Sequence, residues 1–298
     1  MDELITKCPL RKIDYESLQF GESIGEGILT VYEVFIDGKK YAGKVYDYEN
    51  LEDYYDSILY ETQTAVKIKG LKQSVQTIGI SEGDNTIVLI MEYLESVGDT
   101  FDYLQQRKFW ITKRNYCKNT EYGIFNYDED QWWSFQMSEK DKIHMTLSLV
   151  SAICELHKRS IIHGDIKTNN TVFHKNMIHL IDFGMAYRHT NNYLEIDIEC
   201  KCGTPGYMAP EQYSYKMSYK SDIYSIAVTI IEIWNGELWI DHSNNFKVCR
   251  KEVLLGLRRI EKRNSNFGSL LRRCLSLQKD KRPSSIELDR SVRQLFQQ

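Results

Sequence analysis

Residues Ile161–Gly184 decide the fold and read IIHGDIKTNNTVFHKNMIHLIDFG. Asp165 and Asp182 each stand at the end of an apolar run, and Lys167 and Asn170 follow the first of them. Carboxylate and amide oxygens suit hard divalent cations, and a fixed ammonium suits phosphate oxygens. The stretch therefore predicts a site that can position a hydroxyl, a phosphate and a divalent cation together.

The composition is typical of a globular chain that folds in a reducing compartment. Its 298 residues suffice for two lobes around a large core, with 42% apolar and 27% charged residues. The 7 Cys are scattered, and we interpret Cys200 and Cys202 as free thiols. The first residues lack the basic flank and long apolar core of a signal peptide, so we expect none, and no run of 18 apolar residues is present. We expect no membrane partner and a cytoplasmic location, with the nucleus as the alternative.

Charge is unevenly distributed along the chain. The net charge is −4, which speaks against direct nucleic-acid binding. From Lys247 to the end, 14 Lys and Arg stand against 5 Asp and Glu, so this region carries +9 and the remainder −13. The basic C-terminal region is either a docking surface for an acidic partner or a set of solvated helix faces, and we favour the second interpretation.

The first part of the chain predicts strands around a glycine turn. Within Ile24–Tyr32, Gly25 and Gly27 stand two apart before a β-branched run. This pattern predicts strand, tight turn and strand, with backbone amides free to approach a phosphate because glycine has no side chain. Alone the signal is weak, since such hairpins are common in loops.

Lys44 and Glu61 follow along the chain and are candidates for an ion pair. Asp37-Gly38 predicts a hairpin that leads into the strand Tyr41–Tyr46 with Lys44, and an amphipathic helix over about 53–69 carries Glu61. Lys44 and Glu61 can form an internal ion pair that aims the ammonium at phosphates. The alternatives are an exposed strand Lys and a surface helix Glu.

Two further strands and an aromatic segment come next. Val75–Ile80 and Thr86–Met91 predict strands, and a polar linker follows Met91. Residues 107–137 hold nine aromatic side chains with no regular period. They either pack on the fold, which we favour, or form an exposed docking patch.

The second half predicts helices. Ser138 with Asp141 is typical of a capped helix start at about 139, and Ser221–Trp234 is too apolar for a surface helix, so we predict that it is buried. Further helices are predicted over 99–106, 250–263 and 265–278, and from Ile286 after a Ser284 cap.

Together these residues resemble the eukaryotic-type protein kinase family, in its Ser/Thr form, from about Ile24 to Leu295. The order and gaps match at Gly25, Gly27, Ala42, Lys44, Glu61, His163, Asp165, Lys167, Asn170, Asp182–Gly184, Ala209–Glu211, Asp222 and Arg282. The resemblance implies an α+β bilobal fold. A small antiparallel sheet with one main helix forms the N-lobe at about 15–92, a hinge spans 92–96, and the mainly helical C-lobe at 97–298 contains the insertion 107–137.

The resemblance also implies catalytic roles. Asp165 would accept or orient the proton of a substrate hydroxyl, and Lys167 would steady the transferred γ-phosphoryl group. Asn170 and Asp182 would hold Mg²⁺, with Mn²⁺ as the alternative. The implied cofactors are therefore ATP and a divalent cation, and the implied partner is a protein substrate.

The remaining implied roles concern the nucleotide and the frame of the site. Lys44, paired with Glu61, would hold the α- and β-phosphates. The residues implied to bind the nucleotide are Ile24, Gly25, Gly27, Val31, Ala42, Lys44, Met91, Glu92, Leu94 and Val172. Thr204 and Glu211 belong to the implied activation segment, in which Thr204 with Lys167 marks the Ser/Thr type. The residues implied to be structural are His163, Asp222 and Arg282, the last paired with Glu211.

The chain departs from the family pattern at two positions. Gly164 stands where many members have an Arg that pairs with a phosphorylated activation-loop residue. Glycine cannot form that pair. We therefore expect that activity does not depend on a phosphorylated residue bound at this position, even where Thr190 or Tyr193 is modified. Thr30 replaces the third glycine of the loop and is expected to alter how that loop lies on the phosphates.

The sequence leaves more than one function open. The leading hypothesis is an active Ser/Thr protein kinase. The alternative is a pseudokinase scaffold that binds nucleotide and protein partners, which the full set of phosphate and metal groups disfavours. A kinase-fold enzyme for small molecules is a third hypothesis, against which the segment Gly203–Glu211 speaks.

Overall fold

The computed structural model describes most of the chain. The described residues are 7–25, 29–83, 85–95, 100, 137–188, 195–198, 202–236 and 245–296. Several predictions fall outside them: those on Gly27, Thr190, Tyr193 and Cys200, the helix at 99–106 apart from Thr100, and the segment 107–137 apart from Met137.

An antiparallel sheet forms the first part of the fold. Its strands are β1 (Gln19–Gly25), β2 (Val31–Ile36), β3 (Lys39–Asp47), β4 (Thr77–Gly83) and β5 (Thr86–Glu92), in the order β1-β2-β3-β5-β4. Asp37 and Gly38 turn the chain between β2 and β3 with φ values of 51° and 72°. A two-residue hairpin needs such positive angles, which Asp tolerates and Gly favours.

Helix α1 (Leu51–Lys67) joins β3 to β4 and packs on the sheet. Ile58 of α1 shares a buried cluster with Tyr46, Ile87 and Leu89 from the strands. The chain before β1 also contacts the sheet, because the main chains of Arg11 and Ile13 hydrogen-bond to Ile80 at 2.9 Å each, at the β4 edge.

The second part of the fold is mainly helical. Its helices are α2 (Glu139–Lys158), α3 (Tyr219–Asn235), α4 (Phe246–Arg263), α5 (Ser265–Cys274) and α6 (Ser285–Phe296). Short strands pair as β6 (Ile161–Ile162) with β9 (Tyr187–Arg188), β7 (Thr171–His174) with β8 (Met177–Leu180), and β10 (Ile196–Asp197) with β11 (Lys216–Met217). The bilobal α+β fold predicted above is confirmed.

Helix α3 is the centre of the helical part. Every side chain from Ser221 to Trp234 is buried, as predicted from its lack of charge. Ser218 caps its start and Gly236, at φ 76°, ends it. The polar groups on this helix are therefore enclosed by the core and have a fixed place in the fold.

The helix ends follow local hydrogen bonds. The Ser138 hydroxyl accepts from the Asp141 amide at 3.1 Å, as the capping pattern predicted. Helix α5 ends at Cys274, four residues before the predicted end at 278. The carbonyl of Ser276, just beyond the end of this helix, accepts from Arg282 Nε at 2.9 Å and is not available to a continued helix.

Among the described residues, no helix has both the length and the apolar character that a bilayer crossing requires.

Candidate active site

Asp165 lies at the centre of a small hydrogen-bonded group. Asn170 Nδ2 donates to Asp165 Oδ2 at 2.8 Å, and the Thr204 hydroxyl donates to Oδ1 at 2.7 Å. Lys167 Nζ lies 3.1 Å from Asp165 Oδ2 and donates to Thr204 Oγ1 at 2.7 Å. Both carboxylate oxygens are therefore fixed beside a cation, in a geometry that suits a group that receives or orients a proton.

The backbone of the same loop is anchored to α3. The Asp222 carboxylate accepts from the amide of His163 at 2.9 Å and from that of Gly164 at 3.0 Å. His157 Nε2 adds a third contact to Asp222 at 2.8 Å. The His163 ring lies 5.3 Å from the Phe183 ring, and burial lowers the pKa of His163, so the ring is uncharged at neutral pH. His163 and Asp222 thus fix the loop rather than face a ligand.

Lys44 joins the sheet, α1 and the second carboxylate. Its Nζ lies 2.9 Å from Glu61 Oε2 and 3.1 Å from Asp182 Oδ1. Burial works against the ammonium, but the carboxylates of Glu61 and Asp182 raise the pKa of Lys44 well above 10.5. Burial likewise works against the Asp182 carboxylate, yet Lys44 and the Gly184 amide lower the pKa of Asp182. Both groups are therefore charged at neutral pH.

Glu211 and Arg282 form a buried two-point ion pair. Arg282 Nη1 and Nη2 donate to the two oxygens of Glu211 at 2.6 and 2.9 Å, and Arg282 is 1% exposed. Burial favours the protonated acid, but the hydrogen bonds from Arg282 lower the pKa of Glu211. Arg282 Nη1 also donates to the carbonyl of Lys220 on α3. The segment that carries Glu211 is thereby fixed to the helical part.

The predicted nucleotide-binding residues lie on both parts of the fold. Gly25 pairs with Val31, Val31 with Lys44, and Ala42 with Met91, so these side chains occupy neighbouring strands. Met91 is buried, Ile24 and Leu94 are half-buried and Glu92 is exposed. Val172 belongs to the helical part, on β7 directly after the loop that holds Asn170.

The comparisons with known proteins agree with this geometry. The family model of the protein kinase domain matches residues 18–296. The chain belongs to the protein kinase family. The chain is 30% identical over 209 residues to mouse serine/threonine-protein kinase Nek9, and the matched stretch covers 68% of this chain and 18% of that protein.

Two further relatives match more of the chain. The zebrafish serine/threonine-protein kinase SIK3 homolog is 27% identical over 258 residues, or 85% of this chain and 19% of that protein. The Arabidopsis leaf rust 10 disease-resistance locus receptor-like protein kinase-like 1.1 is 28% identical over 243 residues, or 79% of this chain and 33% of that protein. The chain therefore spans about a third or less of the length of these relatives.

The residues expected to hold a metal ion fit that task. Asp182 Oδ1 is occupied by Lys44 and the Gly184 amide, whereas no described residue donates to Oδ2, and the side chain is 40% exposed. Asn170 uses its amide nitrogen for two bonds to Asp165 at 2.8 Å, which aims its carbonyl oxygen elsewhere. One carboxylate oxygen and one amide oxygen thus remain as hard ligands of the kind Mg²⁺ takes.

Sequence reasoning missed a second buried acid beneath the loop. Glu232 Oε2 accepts from the Tyr207 hydroxyl at 2.6 Å and from the Thr168 hydroxyl at 3.0 Å, and Glu232 is 2% exposed. Asp222 and Glu232 both reach the loop from α3, Asp222 through two backbone amides and Glu232 through the Thr168 hydroxyl. An acid in an otherwise apolar stretch of a buried helix was the available signal.

A second omission was Tyr46. Its hydroxyl donates to Glu61 Oε2 at 2.8 Å, the oxygen that Lys44 also contacts. Residues two apart on a strand project to the same face, so Lys44 and Tyr46 both point from β3 towards α1. The alternation of residues along β3 predicts that Lys44 and Tyr46 share a face. It does not predict the contact with Glu61, which depends on where α1 packs.

Proposed function

We propose that this protein is an ATP-dependent kinase that transfers the γ-phosphoryl group to Ser and Thr hydroxyls of proteins. One observation carries the proposal: the Asp165 carboxylate is held at both oxygens, by Asn170 and Thr204, with the Lys167 ammonium 3.1 Å away. A fixed base beside a fixed cation is the arrangement that phosphoryl transfer to a hydroxyl needs, because the reaction demands positioning and charge stabilisation more than covalent chemistry.

In this mechanism Asp165 orients the substrate hydroxyl and takes up its proton as the hydroxyl oxygen bonds to the γ-phosphorus, while the bond from that phosphorus to the β,γ-bridging oxygen breaks and ADP leaves. Lys167 offsets negative charge on the oxygens of the transferred group. Thr204 contacts both side chains, so it keeps them in register. A magnesium ion would neutralise charge on the phosphates, and Asn170 and Asp182 are the residues that would hold it.

Lys44 supplies the second fixed cation. Its contact with Glu61 holds the ammonium at a defined depth, where it can bind the α- and β-phosphates. Val31 and Ala42 on the sheet and Val172 on β7 would enclose the adenine, with Ile24, Gly25 and Gly27 over the phosphates. Residues 92–96 would act as the hinge between an N-lobe at 15–92 and a C-lobe at 97–298, with Met91 at the back of the pocket and the main chain of Glu92 to Leu94 beside the base.

Serine and threonine are the proposed acceptors. The 2.7 Å contact of Lys167 with Thr204 supports this choice, since the resemblance links that pair to the Ser/Thr type. The mouse and zebrafish relatives are named as serine/threonine-protein kinases. Residues 107–137 and the basic C-terminal region are the candidate docking sites for protein partners, as the alternatives to packing on the fold and to solvated helix faces.

Helix α4 is the part of the basic region best suited to docking an acidic protein substrate. Its exposed cations are Lys247, Lys251, Arg258, Arg259, Lys262 and Arg263. Helical periodicity places them on one side, around Val248 and Leu255, which are 40% and 41% exposed. No described residue forms an ion pair with these six. Exposed aliphatic groups among cations suit an acidic polypeptide, which offers both charge and apolar side chains, better than nucleic acid.

The decisive experiment compares wild type with Asp165→Asn. Radiolabel from ATP is followed onto a generic protein, with phosphoamino-acid analysis and with Asp280→Asn, an exposed site, as the matched control. Loss of a general base is expected to lower transfer about 10²–10⁴-fold, while the control stays at the wild-type rate. Nucleotide binding without transfer by the wild type would favour the scaffold hypothesis. Label on tyrosine would contradict the proposed specificity.

A further inference from the structure

Tyr46 is a fully buried phenol whose hydroxyl meets the Glu61 carboxylate. Tyr46 is 0% exposed, and its hydroxyl donates to Glu61 Oε2 at 2.8 Å. Lys44 Nζ approaches the same oxygen at 2.9 Å. Within the described part of the chain the Tyr46 hydroxyl has no second hydrogen-bond partner. None of the roles proposed above uses this residue.

We propose that Tyr46 is a positioning residue that holds the Glu61 carboxylate, and with it α1, where Glu61 pairs with Lys44. Its effect on catalysis rests on the proposed kinase function. The placement of α1 does not, because it concerns the fold alone.

The burial of Glu61 explains why a second donor is needed. Glu61 is 2% exposed, and a buried carboxylate is costly unless its oxygens receive hydrogen bonds. Lys44 cannot serve Glu61 alone, because the same ammonium lies 3.1 Å from Asp182. A neutral phenol donor compensates the Glu61 charge without adding another cation. Glu61 therefore stays in place while the ammonium is shared with Asp182.

Other contacts of α1 with the rest of the site are longer. Ser57 Oγ lies 3.4 Å from the Gly184 carbonyl, and the Tyr60 and Tyr187 rings are 6.0 Å apart. These contacts connect α1 to the chain after Asp182, whereas Tyr46 connects it to β3. The hydrogen bond from Tyr46 is thus a second short, charge-assisted contact between α1 and β3, beside the one from Lys44.

The test is Tyr46→Phe, which keeps the ring and removes only the hydroxyl. Tyr54→Phe is the matched control, since the Tyr54 ring lies 5.8 Å from that of Tyr46 and none of the described residues bonds to its hydroxyl. In Tyr46→Phe we expect kcat/KM for ATP to fall about tenfold, equal to about 1.4 kcal/mol, and the amides of α1 to exchange hydrogen faster. The control should match the wild type in both measurements.

A double-mutant cycle separates positioning from packing. In a Glu61→Ala background the hydroxyl has no carboxylate to hold, so adding Tyr46→Phe should change neither kcat/KM nor α1 exchange. Equal effects of Tyr46→Phe in both backgrounds would show that the hydroxyl acts through packing and would overturn the proposal.

The other possible outcomes also test the role of Tyr46 or the proposed function. Unchanged kinetics and unchanged exchange in Tyr46→Phe would overturn the proposal, as would failure of this variant to fold. A wild type that transfers no phosphate would refute the proposed function only, because hydrogen exchange of α1 in the same variants still tests the role of Tyr46.

Discussion

Gly164, the residue before Asp165, adopts a backbone conformation that side chains rarely take. Its φ is 81°, and a Cβ atom there would lie 2.6 Å from the carbonyl oxygen of Met185. Its amide also donates to Asp222. The position therefore lacks a phosphate-reading side chain, and its local geometry disfavours any side chain at all.

This geometry gives a prediction with an internal control. Gly70 has a similar φ of 78°, but nothing lies within 4 Å of a Cβ built there. Gly70→Ala should therefore show only the conformational cost, about 1–2 kcal/mol, whereas Gly164→Ala should lose more and should also lower phosphate transfer. Urea unfolding of both variants measures the difference. Equal losses would show that the Met185 carbonyl moves aside at no cost.

At the scale of elements, the Glu211–Arg282 pair joins the segment 203–211 to the helices. Arg282 also donates to the carbonyls of Lys220 and Ser276, at 2.8 and 2.9 Å. Removing one partner leaves buried groups without compensation. The pair should therefore matter far more than an ion pair on the surface.

Arg282→Ala is expected to lower the free energy of unfolding by about 3–5 kcal/mol. The matched control is Arg293→Ala, whose pair with Asp289 lies within α6 and has an Arg side chain 43% exposed, and it should cost about 1 kcal/mol or less. Urea denaturation measures both changes. Losses of similar size would mean that burial of the Glu211–Arg282 pair adds little to stability.

The same pair predicts a dependence of stability on pH. Because the folded protein lowers the pKa of Glu211 below its ordinary value of 4.5, the contribution to stability is present above that pH. It is lost as the pH falls through the lowered pKa, where folded Glu211 takes up a proton. The stability difference between wild type and Glu211→Gln should therefore shrink between neutral and acidic pH. A difference that stays constant would contradict this assignment.

At the scale of the whole molecule, positive charge is concentrated on α4 while the chain as a whole carries −4. Paired reversal, Lys251→Glu with Arg258→Glu, should raise KM for an acidic protein substrate about tenfold and leave KM for ATP unchanged. The control reverses two exposed lysines elsewhere, Lys69→Glu with Lys72→Glu. Steady-state kinetics at low and high salt measure the effect, which should weaken with salt. Equal effects of both pairs would indicate only a general charge effect.

How much the sequence could predict depends on whether a contact is local or long-range. Spacing and residue type predicted the strands and the Ser138 cap, since the determinants lie within a few residues. The order of the motifs along the chain led to the hypothesis that Lys44 and Glu61 form an ion pair. Tyr46 could not be assigned, because its hydroxyl matters only through a residue on another element.

The positions that were missed or corrected share that cause. Glu232 contacts residues from two other segments, and the Ser276 carbonyl just after α5 accepts from Arg282, which lies beyond the next turn. Such contacts between elements follow from packing in three dimensions, which no sequence period encodes.

The burial of α3 has a consequence for how this protein can change over generations. The helix supplies core side chains and also the two acids, Asp222 and Glu232, that hold the loop around Asp165. A substitution in α3 can therefore change both the packing of the core and the position of the loop around Asp165. These two effects cannot be selected separately. Exposed residues of α4 make none of these contacts with the loop, so they can vary without disturbing the site.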